Sequence, residues 1–145
     1  VGVFARAWVE PIARAMLGLG AKRAMVVHGL DGMDEISTTG ETLVADVKDG
    51  SVRVHSLTPE SIGIARASLE QLRGGTVAEN AEALKRVLGG ENGAFGDLVA
   101  VNAGAAILVA GLAETLEDGI VQARASVTSG QAIAALEALR RASNG

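Results

Sequence analysis

The sequence contains no cysteine, no tyrosine and only three aromatic residues, Phe4, Trp8 and Phe95, among its 145 residues. Without cysteine there is no disulfide framework, no thiolate metal site and no cysteine nucleophile, and nothing requires an oxidising compartment. Three aromatic residues are too few to form a surface on which nucleic-acid bases stack. The longest apolar stretch, residues 97–113, falls short of the ~20 residues that span a bilayer. We therefore expect a cytoplasmic protein that contacts no membrane.

Basic residues are also in deficit, because 13 Lys and Arg face 17 Asp and Glu, which gives a formal charge of -4. This balance provides no basic surface for a phosphate backbone, so we expect no nucleic-acid partner. Hydrophobic residues make up 48% of the chain and charged residues 21%, as in an ordinary globular domain with a core. The chain begins at Val1, without Met, directly in an apolar segment. We therefore expect it to be a piece of a longer protein.

The first 30 residues predict a βαβ unit. Residues 1–4 form a short apolar run that is typical of a buried strand, and residues 9–19 place apolar side chains at helical spacing. Pro11 fits the first turn of that helix, where the missing N–H costs little. Residues 24–28 are apolar and partly β-branched, which indicates a second buried strand. The two strands of such a unit are parallel.

A β-hairpin is predicted next, over residues 41–57. Apolar and polar residues alternate on both sides of Asp49-Gly50, and this dipeptide is typical of a two-residue turn in which both residues have positive φ. Thr58-Pro59 then provides a helix N-cap followed by proline at the first helical position. We expect a short helix or turn at that point.

The remainder of the chain is predicted to form four helices. The expected segments are a helix from the capping box at Thr76 to Leu88, a buried helix over residues 97–113, a helix capped by Thr115, and a last one capped by Ser129. The predicted fold class is therefore α/β, with a βαβ unit and a β-hairpin packed against several helices.

One loop, residues 28–40, concentrates the candidate chemistry. It follows the second predicted strand and contains three carboxylates, three glycines and three hydroxyl side chains in 13 residues. In open α/β sheets, ligands bind beyond the carboxyl ends of parallel strands, which is where this loop lies. Adjacent carboxylates on a loop suit Mg²⁺, which takes few protein ligands and keeps sites for water and phosphate. The alternative is a solvated acidic loop whose hydroxyls bond to local backbone groups.

Other polar residues are weaker candidates. His28 lies at a strand end, where a hydrogen bond to the backbone would satisfy it, and His55 in the hairpin is expected to be solvated. Arg73 precedes a pair of glycines that suits a turn more than an anion site. Asn102 interrupts an apolar helix and needs hydrogen-bond partners there. No catalytic triad is assignable, and we name no catalytic residue.

Several motifs together resemble anthranilate phosphoribosyltransferases over essentially the whole chain. They are VVHG at residues 26–29, DGMDEIS at residues 31–37, LRGG at residues 72–75, ENA at residues 79–81 and NAGAA at residues 102–106. The resemblance implies the C-terminal domain fold shared by nucleoside phosphorylases and these phosphoribosyltransferases. Residues 1–145 would be the C-terminal part of that α/β domain, without the helical N-terminal domain.

The resemblance also implies a function. Members of this family transfer phosphoribosyl from phosphoribosyl pyrophosphate to the amino group of anthranilate in tryptophan biosynthesis, and they are typically Mg²⁺-dependent homodimers. Asp34 and Glu35 match the acidic pair that binds Mg²⁺ on the pyrophosphate. The family's GTGGD phosphate loop, its KHGN segment and an arginine that helps to hold anthranilate are absent from these 145 residues. We therefore expect the chain alone to have no transferase activity.

Two other functions are compatible with parts of the sequence. A pyrimidine nucleoside phosphorylase shares the fold type, although the DGMDEIS loop favours the transferase. A non-catalytic paralogue that binds nucleic acid would need a basic surface, which the composition does not provide. If the chain is a fragment, the apolar residues 1–3 would leave an unpaired sheet edge, and self-association is expected.

Overall fold

The computed structural model describes residues 1–144 and has an antiparallel sheet at its centre, in the order β1-β2-β3. The strands are β1 (Arg23–Gly29), β2 (Thr42–Lys48) and β3 (Ser51–Leu57). The helices are α1 (Val9–Gly18), α2 (Val77–Leu88), α3 (Ala94–Val109), α4 (Leu116–Thr128) and α5 (Gln131–Ser143), with short 3₁₀ turns at Arg6–Trp8, Pro59–Ile62 and Leu69–Leu72. The predicted α/β class, with a hairpin packed among helices, is confirmed. Among residues 1–144, no helix is both long enough and apolar enough to cross a membrane.

The hairpin forms as its turn residues predict. Asp49 and Gly50 both have positive φ, at 50° and 73°, and they join β2 to β3 in the register that pairs Lys48 with Ser51. This is the conformation in which the twist of a two-residue turn matches the twist of the strands. Local chemistry also sets the next turn, where the Thr58 hydroxyl accepts a hydrogen bond from the Ser61 N–H.

The predicted strand at residues 1–4 is wrong as a strand, although its parallel pairing is present. Val3 N–H donates to Val27 O and Val27 N–H donates to Val1 O, both at 2.9 Å, which makes a single parallel bridge at Gly2. The pairing stops there because the chain enters the 3₁₀ turn Arg6–Trp8 two residues after Phe4. The βαβ connection through α1 therefore exists with a very short first strand.

Two helix ends differ from the prediction. Helix α3 begins at Ala94 and ends at Val109, in place of the expected residues 97–113; it stops because Gly111, at φ 77°, turns the chain. Ser129 does not cap the last helix. It is the C-cap of α4, and Gly130, at φ 80°, occupies the N-cap of α5 without a side-chain hydrogen bond. The connection between the two helices requires a left-handed residue, and glycine fills it without a steric penalty.

The sheet is covered on both faces. Alternate residues of β1 and β2 point to opposite faces, as the pleat requires. One cluster packs against α1, and its buried members are Val3, Val9, Ala13, Ala24, Val26, Ala45 and Val47. The other packs against α3 and α4, and its members include Met25, Val27, Ile36, Val44, Val101, Leu116 and Ile120. Burial on both faces explains why β1 is apolar along nearly its whole length.

Helices α3 and α4 cross at two glycines. A Cβ at Gly104 would lie 2.6 Å from the backbone nitrogen of Ile120, and one at Gly119 would collide with the carbonyl oxygen of Gly104. The two backbones are therefore in direct contact, closer than side chains would permit. This contact fixes α3, which carries Asn102, against α4.

Candidate metal-binding site

The site begins with the loop between β1 and β2, residues 30–41, which we call the acidic loop. Its two ends are joined, because Leu30 N–H donates to Glu41 O at 2.8 Å, and Gly29 N–H donates to Met33 O at 2.8 Å. The loop follows the carboxyl end of β1, the strand that also pairs in parallel with the N-terminal segment. The structure thus places the predicted loop at the carboxyl end of β1, beside the N-terminal segment.

The Asp31 carboxylate makes its hydrogen bonds within the acidic loop. One carboxylate oxygen accepts hydrogen bonds from the hydroxyls of Ser37 and Thr39, and the other accepts from Met33 N–H at 3.2 Å. Partial burial acts to raise the pKa of Asp31, but these hydrogen bonds stabilise the charged form and hold the pKa below its usual value. The sequence analysis did not predict that Asp31 differs in role from the other two carboxylates of the loop. The hydroxyls at positions 37 and 39, six and eight residues away, were the available signal.

Asp34 and Glu35 remain available for a ligand. Asp34 is exposed and Glu35 is half-buried, and within residues 1–144 neither side chain makes a hydrogen bond or an ion pair. Burial raises the pKa of Glu35 above its usual value, and the nearby charges of Asp34 and Asp31 raise it further. Two adjacent carboxylates without a counter-charge form a site that a cation would stabilise.

The pair lies on a cleft of about 420 Å³ between the N-terminal segment, β1 and α3. The walls are mainly apolar and include Met25, Val27, Ala105, Ala106 and Val109, with Gly2 and Asn102 also in the lining. Its charged residues are Arg23, Asp34 and Glu35. Arg23 begins β1 whereas the acidic pair follows its end, so the charges of opposite sign lie at opposite ends of the cleft.

Asn102 joins α3 to the acidic loop. Its amide oxygen accepts a hydrogen bond from Ile36 N–H at 2.9 Å, and its amide nitrogen donates to Ile36 O and to Leu98 O, both at 3.0 Å. The prediction that this helical asparagine needs buried partners is confirmed. The identity of the partner was not predictable from local sequence, because Ile36 is 66 residues away.

The remaining candidates have structural roles. The Nδ1 atom of His28 lies 2.8 Å from Val3 O, so the expected hydrogen bond to the backbone is present. Contrary to the expectation, His55 is not fully solvated, because its ring lies against Asp46, with Nδ1 3.5 Å from the carboxylate. Arg73 is exposed and ends the 3₁₀ turn Leu69–Leu72. None of these residues lines the cleft.

The LRGG and ENA motifs contact each other. Asn80 accepts a hydrogen bond from Gly75 N–H at 2.8 Å and donates to Gly75 O at 3.2 Å. Glu79 and Thr76 form the predicted capping box of α2. Both motifs therefore lie at the entry to this helix. The turn expected at residues 72–75 is not present there, because the chain turns earlier, at Leu69–Leu72, and Arg73 is extended.

A second cavity, of about 290 Å³, lies among α2, α3, α4 and α5. Its charged residues are already neutralised, because Arg124 pairs with Asp97 at 2.6 Å and Glu91 pairs with Arg86 at 3.1 Å. Small apolar residues of α3 and α4 form much of the remaining wall. The cleft at the acidic loop, with its two unpaired carboxylates, is the better candidate for binding a charged ligand.

The two carboxylates of Asp34 and Glu35 fit Mg²⁺ as part of its ligand set. Within residues 1–144, no group of three or more His, Cys, Asp or Glu side chains converges on a metal position. Mg²⁺ requires fewer, since it commonly takes one or two carboxylates and completes its octahedron with waters and substrate phosphates. Asp34 and Glu35 supply such a partial ligand set.

Comparison with known proteins identifies the family of this chain. The profile described as "Glycosyl transferase family, a/b domain" matches residues 1–133. The anthranilate phosphoribosyltransferase of Phenylobacterium zucineum is 53% identical over 139 residues, which cover 96% of this chain and 41% of that protein. The enzyme of the same name from Azorhizobium caulinodans is 50% identical over 142 residues, covering 98% of this chain and 41% of that protein. The chain thus spans about two fifths of the length of these relatives.

Solved structures similar to this chain carry the same enzyme name as the sequence relatives. The crystal structure of anthranilate phosphoribosyltransferase from Thermus thermophilus has a TM-score of 0.84 and 44% identity, and the match covers 94% of this chain and 40% of that one. The Saccharomyces cerevisiae enzyme in complex with PRPP and Mg has a TM-score of 0.82 and 25% identity, with the same coverage. The resemblance indicated by the sequence motifs is confirmed. The chain belongs to the glycosyl transferase family, in which it matches the α/β domain.

Proposed function

We propose that this chain is the C-terminal part of the α/β domain of an anthranilate phosphoribosyltransferase, and that Asp34 and Glu35 hold Mg²⁺ on the pyrophosphate of phosphoribosyl pyrophosphate. The observation that carries the metal assignment is the acidic pair itself, which lacks any hydrogen bond or ion pair within residues 1–144 and lies on a cleft. The names of the similar proteins support the reaction, and the yeast complex with PRPP and Mg supports the ligands.

The reaction explains why two carboxylates are useful. Cleavage of the bond between ribose C1 and pyrophosphate places negative charge on the leaving group and positive charge on the sugar. When bound, Mg²⁺ neutralises charge on the leaving group. Asp34 and Glu35 would fix the cation at the end of the cleft, and the cleft walls would hold the sugar and the amine in position for attack. Anthranilate supplies a competent amine, so this mechanism needs no strong base from the chain.

The complete enzyme would supply the rest of the site. The chain contains neither the GTGGD phosphate loop nor the KHGN segment of the family. We propose that the chain by itself is inactive and that the complete enzyme is a cytoplasmic homodimer. Sedimentation of the complete enzyme tests its oligomeric state.

A chimera tests the proposed function. Residues 1–133 replace the corresponding segment of the Thermus thermophilus enzyme, which is 44% identical and shares the fold. We expect the chimera to form phosphoribosyl anthranilate, and the double substitution Asp34→Asn with Glu35→Gln to lower kcat/KM at limiting Mg²⁺ by about 100-fold or more, a loss typical of removing transition-state charge stabilisation. Glu114→Gln, which changes an exposed carboxylate outside the acidic loop, is the matched control.

Two outcomes would contradict the proposal. Full activity and an unchanged Mg²⁺ dependence in the double variant would remove the metal assignment. A folded chimera that makes no phosphoribosyl anthranilate but splits pyrimidine nucleosides with phosphate would replace the transferase with the phosphorylase alternative.

A further inference from the structure

We propose that Asn102 is a positioning residue for the acidic pair: it fixes the backbone of Ile36 and thereby holds Asp34 and Glu35 together on the cleft. The inference rests on the proposed metal site. It extends that site to α3, which contributes no metal ligand.

The hydrogen bonds of Asn102 are the first line of support. Its side chain has one acceptor oxygen and two donor hydrogens, and the observed bonds to Ile36 N–H, Ile36 O and Leu98 O engage the oxygen and both hydrogens. The bond to Leu98 O, one helical turn earlier, orients the amide on α3. The two bonds to Ile36 then fix both sides of that residue's backbone. An amide held in this way cannot rotate without losing several hydrogen bonds at once.

The position of the pair is the second line of support. On its N-terminal side, Met33 N–H is held by Asp31, and on its C-terminal side Ile36 is held by Asn102. The Ile36 side chain is also buried in the core, with 1% of its surface exposed. Asp34 and Glu35 are therefore two consecutive residues between two fixed points. Their carboxylates are free, but their backbone is not.

Repulsion between the Asp34 and Glu35 carboxylates explains why a fixed backbone would favour cation binding. Two adjacent carboxylates repel each other, and a free loop would relax by separating them. Anchoring the backbone keeps both near one position before a cation arrives, so less ordering is required on binding. A hydrogen bond that orients a metal ligand without touching the metal typically changes metal affinity by about 10- to 100-fold.

The test uses the 145-residue chain and Mn²⁺ as a paramagnetic probe. Line broadening of backbone amide signals during a titration gives the dissociation constant at residues 34–36. We expect Asn102→Ala to weaken Mn²⁺ binding about tenfold or more and to speed hydrogen exchange at the Ile36 amide, while the chain remains folded. Gln122→Ala is the matched control, because it removes another side-chain amide bonded to a backbone carbonyl, Leu112 O at 2.9 Å, outside the acidic loop.

The outcomes separate the inference from the proposed function. Unchanged Mn²⁺ affinity in a folded Asn102→Ala chain with fast exchange at Ile36 would overturn the inference and leave the metal site intact. Absence of Mn²⁺ binding at residues 34–36 in the unsubstituted chain would overturn the metal site and the inference with it. If Asn102→Ala does not fold, Asn102→Ser keeps a polar group of shorter reach and is judged by the same two measurements.

Discussion

The backbone of Asp34 passes so close to Gly2 that the two residues fit together only because Gly2 has no side chain. A Cβ on Gly2 would occupy the position of the Asp34 carbonyl oxygen, and it would lie 3.4 Å from the Asp34 Cα. The N-terminal segment and the acidic loop are therefore in direct contact beside the cleft. The same segment pairs with β1 through Val27, so one short stretch of chain joins the sheet to the acidic loop.

The first prediction follows from this contact. Gly2→Ala forces the acidic loop away from the N-terminal segment, because the obstacle is backbone rather than a flexible side chain. We expect a loss of about 1–3 kcal/mol in the free energy of unfolding, as for other overpacked sites. Mn²⁺ binding at residues 34–36 should weaken as well. Chemical denaturation and the titration described above measure the two effects.

Gly18→Ala is the control for that substitution. Gly18 ends α1, and a Cβ there would meet nothing within 4 Å. Alanine is the better helix former, so this variant should be neutral or more stable by up to about 1 kcal/mol. Equal stability of the Gly2→Ala and Gly18→Ala chains would show that the loop moves aside freely, contrary to the prediction.

The second prediction concerns the internal carboxylate. Asp31→Asn replaces an acceptor of three hydrogen bonds with an amide whose NH₂ group faces donors. We expect a loss of about 1–3 kcal/mol at neutral pH, the usual penalty for leaving partly buried polar groups unmatched. Asp34→Asn is the control in the same loop, and it should change stability little because the Asp34 carboxylate has no hydrogen bond within residues 1–144.

The pH dependence of this effect has a definite sign. The native pKa of Asp31 lies below its usual value of 3.8, so the ionised form is favoured by folding. Its contribution to stability is therefore fully present above that value and is lost as the pH falls through the lower native pKa. The stability difference between the unsubstituted chain and Asp31→Asn should be constant from neutral pH down to the usual value, and should narrow below it. A difference that narrows already near neutral pH would contradict this origin.

The third prediction is that the acidic pair lowers stability when no cation is bound. The native pKa of Glu35 lies above its usual value of 4.5, because of burial and the neighbouring carboxylates. Glu35→Gln should therefore stabilise the metal-free chain at pH 7, by less than about 1 kcal/mol because solvent screens a half-exposed group. The gain should vanish once the pH falls below 4.5, where the unfolded chain also becomes protonated.

With added Mn²⁺, the unsubstituted chain should become more stable than the Glu35→Gln chain. A cation that binds only the folded state stabilises it by mass action, and Glu35→Gln removes one of the two proposed ligands. Denaturation with and without Mn²⁺ measures both halves of the prediction. If Glu35→Gln is less stable than the unsubstituted chain even without metal, the carboxylate is making a stabilising contact and the interpretation of its pKa is wrong.

The parts of the fold that depend on neighbouring residues were predictable from the sequence. The Asp49-Gly50 turn and the capping box at Thr76 each depend on residues within a few positions, and both formed as expected. The strand at residues 1–4 failed for the opposite reason. Its length depends on pairing with the distant strand β1, and this pairing ends after one bridge, from Gly2 to Val27, because the chain enters the 3₁₀ turn Arg6–Trp8.

The candidate site shows the same division. Residue types placed an acidic, hydroxyl-rich loop after β1, and the resemblance selected Asp34 and Glu35 within it. The sequence did not show that the Asp31 carboxylate accepts hydrogen bonds from Ser37 and Thr39, since these bonds require the loop to fold back on itself. Nor could it pair Asn102 with Ile36 across 66 residues, because that contact depends on where α3 lies against the sheet.

The glycine crossing of α3 and α4 has a consequence for protein engineering. Because the two backbones touch at Gly104 and Gly119, a side chain at either position would push α3 and α4 apart. Asn102 lies two residues before Gly104, so α4 indirectly sets the depth at which this amide reaches the loop. The conformation of the acidic loop therefore depends on contacts with segments outside the loop. A transplant of residues 30–41 into another scaffold would need α3 and the small-residue face of α4 to travel with it.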